Sequence, residues 1–118
     1  MSAAKTDWFV GLDVHTKSIA ICVVDATGEV VQRQTIPSRR VAWTKWLNEI
    51  PAGVAAKFAL EALAPSRWVL FELLDRELEA TLVHPYGVKL IVQSRKKSDR
   101  VDAFQLADLL RLGRLPAA

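Results

Sequence analysis

The sequence predicts an α/β fold: a mixed sheet of about five strands, the first three antiparallel, flanked by helices. Three observations lead there. Apolar, β-branched runs separated by short polar turns fill the first 36 residues. Beyond them, apolar residues at helical spacing alternate with short continuous apolar runs. The 118 residues, 51% hydrophobic and 25% charged, are enough for one core and too few for two.

Residues 8–14 and 18–25 are two β-branched runs, and Ala26-Thr27-Gly28 after the second is a turn signal, so a hairpin follows. Residues 29–35 set polar Gln32, Arg33 and Gln34 between apolar Val31 and Ile36, which reads as a third antiparallel strand at an exposed position. Pro37-Ser38 opens the first helix, with Val41, Trp43, Trp46, Leu47 and Ile50 as its apolar stripe and Pro51-Ala52-Gly53 as its end. Two tryptophans suggest a base-stacking platform, but at helical spacing beside Leu47 and Ile50 they belong to the core.

Residues 57–62 form a short apolar run with one carboxylate, Glu61, near its end, as expected of a buried parallel strand. Pro65-Ser66 precedes a second helix over 67–78, striped by Leu70, Phe71, Leu74 and Leu78, with Glu72, Asp75, Glu77 and Glu79 largely outside the stripe. Residues 80–84 make another brief strand ended by Pro85-Tyr86-Gly87, and 88–93 fit a helical turn or a strand, with a short helix the preferred reading. Ser98-Asp99 caps the last helix, where Val101, Phe104, Leu106, Ala107, Leu109 and Leu110 keep helical register to Gly113.

The only cysteine, Cys22, lies inside an apolar run, which excludes an internal disulfide and suits a reducing compartment. No apolar stretch approaches the roughly 18 residues of a membrane span, and residues 1–7 lack the core of a secretory signal. A cytoplasmic protein with no membrane partner is expected. The net charge of +3 and pI near 9.3 point only weakly to a polyanion. Distribution says more: Arg95, Lys96, Lys97 and Arg100 cluster, and Arg39-Arg40 form a smaller group. Alone, either group is solvated surface; beside catalytic residues, the first becomes a holder of phosphates.

Four carboxylates carry the candidate chemistry. Asp13 ends the first strand after Phe9, Val10 and Leu12, where a charge is costly unless paired or bound to a cation. Glu61 ends another apolar strand, and strand ends in α/β sheets are where ligands bind. Asp99 and Asp102, three apart at the start of the last helix, are expected to project from one helix face. Each has an ordinary explanation: a strand terminus, a salt bridge, a helix cap. Together, without clustered His or Cys, they suit Mg²⁺ or Mn²⁺ rather than zinc. Two such ions about 3.5–4 Å apart would offset the mutual repulsion and serve phosphodiester chemistry. His15 is read as a loop histidine next to the strand end, and His84 as a strand terminus.

Val10-Gly11-Leu12-Asp13-Val14-His15, Leu60-Glu61-Ala62, His84-Pro85, and Lys97-Ser98-Asp99-Arg100-Val101-Asp102-Ala103 with Leu106-Ala107 resemble, in order and spacing, the DEDD transposases of bacterial insertion sequences. That family is related to the Piv-type invertases and the Holliday-junction resolvase RuvC. The resemblance implies a ribonuclease H-like (RuvC-like) fold and a DNA transposase or recombinase. In such an enzyme Asp13, Glu61, Asp99 and Asp102 are catalytic ligands of Mg²⁺ or Mn²⁺; the basic run of Arg95, Lys96, Lys97 and Arg100, by its place beside Asp99 and Asp102, is expected to bind nucleic acid. It also implies DNA as a partner, a structured guide RNA as used by related enzymes, and a homo-oligomer in the full-length enzyme.

Two positions depart from the family pattern: Ser98 stands where Thr is commoner, and Ala62-Leu63-Ala64 follow Glu61 where Thr or Ser and Gly are usual. Family members continue into a C-terminal domain bearing a serine nucleophile; residues 1–118 are expected to be the single N-terminal domain, with that domain absent. Ser18, Ser38, Ser66, Ser94 and Ser98 lie in no matching motif and are not assigned the role. Two other readings stand beside this one. One is a non-catalytic nucleic-acid-binding or dimerisation fragment of the same fold. The other is a sugar-kinase or actin-type phosphate-binding fragment, against which Val14-His15-Thr16-Lys17 lacks the expected glycine.

Overall fold

In a computed structural model the described residues are 6–84 and 102–115. Five strands, β1 (Thr6–Val14), β2 (Ser18–Val24), β3 (Val30–Pro37), β4 (Val54–Glu61) and β5 (Glu79–Val83), form one sheet in the order β3-β2-β1-β4-β5. β1, β2 and β3 pair antiparallel, and β4 and β5 join β1 in parallel. Helices α1 (Arg40–Asn48), α2 (Arg67–Asp75) and α3 (Ala103–Leu112) flank the sheet. This is the mixed α/β, ribonuclease H-like arrangement that the sequence predicts, with β3 at an exposed edge.

Period-two alternation gives the sheet two differently dressed faces. Val10, Leu12, Ile19, Ile21, Phe58 and Leu60 point to one face and build the main core with Trp43, Trp46 and Leu47 of α1 and Val69 and Leu73 of α2. Trp43 and Trp46 stack with centroids 5.6 Å apart, each edge-on to Phe58. They are core, as their spacing indicates. The opposite face carries Ala59 and Val83 against Leu106, and Cys22 and Val24 against Ala103 and Ala107, so α3 alone covers it among the described residues.

Helix roll departs from the sequence reading at two places. α2 buries Val69 and Leu73, while Phe71 and Leu74, placed in its stripe by periodicity, are 55% and 52% exposed. Residues 68–71 are all apolar or aromatic, so spacing alone defines no single face; the sheet selects the 69/73 edge. Val41, placed in the α1 stripe, is 82% exposed because, two residues before buried Trp43, it lies roughly 200° around the helix from it. β4 starts at Val54 rather than 57, since Gly53, at φ 85°, turns the chain directly into pairing with Thr6. The short helix expected over 88–93 lies outside the described residues.

Candidate active site

The site is built where β1 and β4 end and α3 begins. The last residues that β1 and β4 pair with each other are Leu12 and Leu60, both facing the main core. One residue further along each strand, Asp13 and Glu61 therefore face the α3 side from adjacent parallel strands, which lie about 4.8 Å apart. Asp13 is half-buried, with Oδ2 3.0 Å from His15 Nε2. Glu61 is 5% exposed, a buried carboxylate at a strand terminus. Hydrophobic alternation thus dictates both carboxylate positions: Val10 and Leu12, and Phe58 and Leu60, must reach the core, so the charge one residue later falls on the other face.

Asp102 joins them from the helix. It is the N-cap of α3, with extended backbone (φ −83°, ψ 172°). Its Oδ1 accepts from Gln105 N at 2.8 Å, and Gln105 Oε1 accepts from Asp102 N at 3.0 Å, a complete capping box. Asp102 thus stands at the cap rather than inside the first turn, because its carboxylate satisfies amides that the helix itself cannot; Asp99, expected on the same helix face, lies outside the described residues. Capping engages Oδ1, and the second oxygen can serve a ligand.

Gly11 brings this helix end close to the strand. A Cβ at Gly11 would fall 2.7 Å from Ala107 N and 2.9 Å from Ala103 C and would overlap Ala103 O, all backbone atoms. Only glycine admits α3 at this depth, so Gly11, two residues before Asp13, determines how near Asp102 sits to Asp13. Asp13, Asp102, Ala103, Ala20, Ile21, Cys22, Arg33, Gln34 and Thr35 line one open pocket of about 330 Å³.

Of the residues singled out by sequence, Asp13 and Asp102 are thus brought to one pocket, and Glu61 to the strand terminus beside Asp13. Asp99, Arg95, Lys96, Lys97 and Arg100 lie outside the described residues. Among the described residues, no three His, Cys, Asp or Glu side chains form a group able to hold a metal ion. His15, read as a loop residue, is tied to Asp13, and His84 follows the last residue of β5 as expected. Arg40, of the second basic group, pairs with Glu72 at 3.0 Å across α1 and α2.

Arg33, Thr35 and Cys22 were not singled out by sequence as pocket residues. The signal was in the register: the Asp25–Glu29 turn places Arg33 opposite Cys22, and Cys22 lies opposite Gly11. Burial pushes the Cys22 thiol up from its ordinary value; Arg33 opposes this and Asp102 reinforces it. The thiol therefore stays protonated, as a packing group.

Among the described residues no helix is long and apolar enough to cross a membrane. A family model described as a transposase, that of the IS110-type DEDD transposases, matches residues 10–118. No curated protein matches the chain.

Proposed function

Since the chain belongs to the IS110-type DEDD transposases, a family of enzymes acting on DNA, we propose that it supplies their metal-binding catalytic domain, with Asp13, Glu61, Asp99 and Asp102 as ligands of Mg²⁺ or Mn²⁺. The observation that carries this reading is the shared pocket of Asp13 and Asp102, with Glu61 on the neighbouring strand end and on the same face of the sheet.

The donor chemistry fits such ions: the residues gathered here offer carboxylate oxygens, and the one thiol nearby is held protonated. Bound divalent ions would supply activation of the attacking oxygen and charge neutralisation at the leaving oxygen of a phosphodiester. The chain's own residues do the rest. Asp13 and Glu61 are held on rigid strands, so their oxygens are positioned before a ligand arrives. His15 restrains the Asp13 carboxylate through Oδ2. The capping box fixes the Asp102 rotamer, and Gly11 sets the height of the helix end above β1. Lys97 and Arg100, beside Asp99 in sequence, are proposed with Arg95 and Lys96 to hold the DNA backbone. Complete strand transfer is assigned to the chain together with the family's serine-bearing domain, in a homo-oligomer, with a structured guide RNA selecting the DNA.

The test is thermal unfolding with and without Mn²⁺. A ligand that binds only the folded site at a hundredfold excess over its Kd stabilises by about 2.7 kcal/mol, or a rise of several degrees in Tm. Asp13→Asn should abolish the rise. Equal melting of wild type and variant at every Mn²⁺ concentration would leave the carboxylates with a structural role and favour the non-catalytic nucleic-acid-binding reading.

A further inference from the structure

The strand register carries a cation into the pocket. Arg33, Cys22 and Gly11 form one row across β3, β2 and β1, and Thr35, Ala20 and Asp13 form the next. Alternation puts both rows on the face that α3 covers. Arg33 and Thr35 therefore form the wall of the pocket whose other sides hold Asp13 and Asp102.

Arg33 is exposed on its edge strand, where the charged head of an arginine ordinarily extends into water alone. Its guanidinium carbon lies 5.3 Å from the ring centroid of Phe104, the second residue of α3. Contact with an aromatic ring engages the π face of a guanidinium and leaves its in-plane N–H donors for an oxyanion. Among the described residues Arg33 enters no salt bridge. Its charge also reaches the Cys22 thiol in the same pocket, where it opposes the effect of Asp102.

A pocket lined by carboxylates repels a polyanion, and a guanidinium on the wall of the same pocket offsets that repulsion where a phosphate must approach. Arginine suits this role because its planar fork matches two phosphate oxygens. We propose that Arg33 is a phosphate-binding residue of this site, gripping the backbone of the DNA strand presented to Asp13 and Asp102, with Phe104 as the platform that positions it. This assignment rests on the catalytic reading of the pocket.

The experiment measures binding of a fluorescein-labelled single-stranded oligonucleotide, and of its duplex, to the full chain by anisotropy from 50 to 200 mM KCl. Arg33→Ala should weaken binding about tenfold at the lowest salt and reduce the slope of log K against log salt by about one, the signature of one lost phosphate contact. Arg33→Gln, which keeps much of the side-chain length, should do the same even if the alanine variant melts early. Arg33→Lys should restore the slope but not the full affinity. Phe104→Leu should weaken binding with the slope unchanged, since it removes the platform and not the charge.

Wild-type affinity and slope in Arg33→Gln would overturn the assignment, as would absence of DNA binding by the wild type. The Mn²⁺-dependent rise in Tm, followed in parallel, separates the two readings. A rise that persists in Arg33→Gln while DNA affinity drops supports both. A rise that persists with DNA affinity unchanged removes Arg33 alone. Loss of DNA affinity in Arg33→Gln, with no Mn²⁺ response in the wild type, supports the phosphate contact and removes the metal site.

Discussion

Asp25 shows how one side chain can hold a turn. Its Oδ1 accepts from the Thr27 hydroxyl at 2.6 Å, Thr27 N at 2.9 Å and Glu29 N at 3.1 Å, closing the β2–β3 connection over Gly28 at φ 91°. These bonds, the Thr27 hydroxyl first, hold the carboxyl below its ordinary value of 3.8. A depressed folded-state pKa stabilises above the unfolded value and loses that contribution as pH falls through the folded one. The stability difference between wild type and Asp25→Ala should therefore be constant above about pH 5 and shrink below about pH 4, as read by urea unfolding across that range. Asp25 was legible only as the end of a strand, because the three donors it gathers are defined by the turn geometry. Cys22, in contrast, was legible as a packing residue from its apolar neighbours. At 1% exposure with a raised pKa, it should react with a thiol reagent many times more slowly in the native protein than in urea.

At the scale of elements, the approach of α3 to β1 is the decisive contact. Gly11→Ala would drive a methyl group into the backbone at Ala103 and Ala107, which cannot rotate aside. The expected cost is about 1–3 kcal/mol, the usual range for overpacking, measurable by chemical denaturation. The variant should also respond less to Mn²⁺, because Asp102 moves with the helix. Two substitutions at Asp102 separate its capping role from its proposed ligand role. Asp102→Ala loses the cap and should cost about 1 kcal/mol without metal. Asp102→Asn remains a good N-cap and should melt like the wild type without metal, yet show a reduced Mn²⁺-dependent rise. A full rise in Asp102→Asn would show that the second carboxylate oxygen is not needed. The sequence marks Asp102 as a site residue but places it inside the helix, since Ser98-Asp99 reads as the cap.

For the whole molecule, the sheet divides the work between its faces. The α1/α2 side carries the large residues, and Phe58 is fully buried there, edge-on to the stacked tryptophans. Phe58→Ala should cost about 3–5 kcal/mol, a large part of the 5–15 kcal/mol typical of a domain, and should lower Tm without changing which carboxylates face the pocket. The α3 side carries Gly11, Ala20, Cys22, Ala59, Ala103 and Ala107, residues small enough for a helix to settle closely on the strands. A bulky face provides stability, and a shallow one provides room for a pocket at its open end.

Much of this protein can be read along the chain. Three β-branched runs, the later alternation of helices and strands, the tryptophan pair in the core and the positions of Asp13 and Glu61 all follow from local periodicity, because alternation and helical spacing record which faces must avoid water. Tertiary structure alone decided the roll of α2, the closeness of α3 to Gly11, the capping role of Asp102 and the entry of Arg33 into the pocket. Each of these depends on contacts between residues far apart in sequence, and hydrophobic pattern within one segment holds no information about which neighbour will press against it.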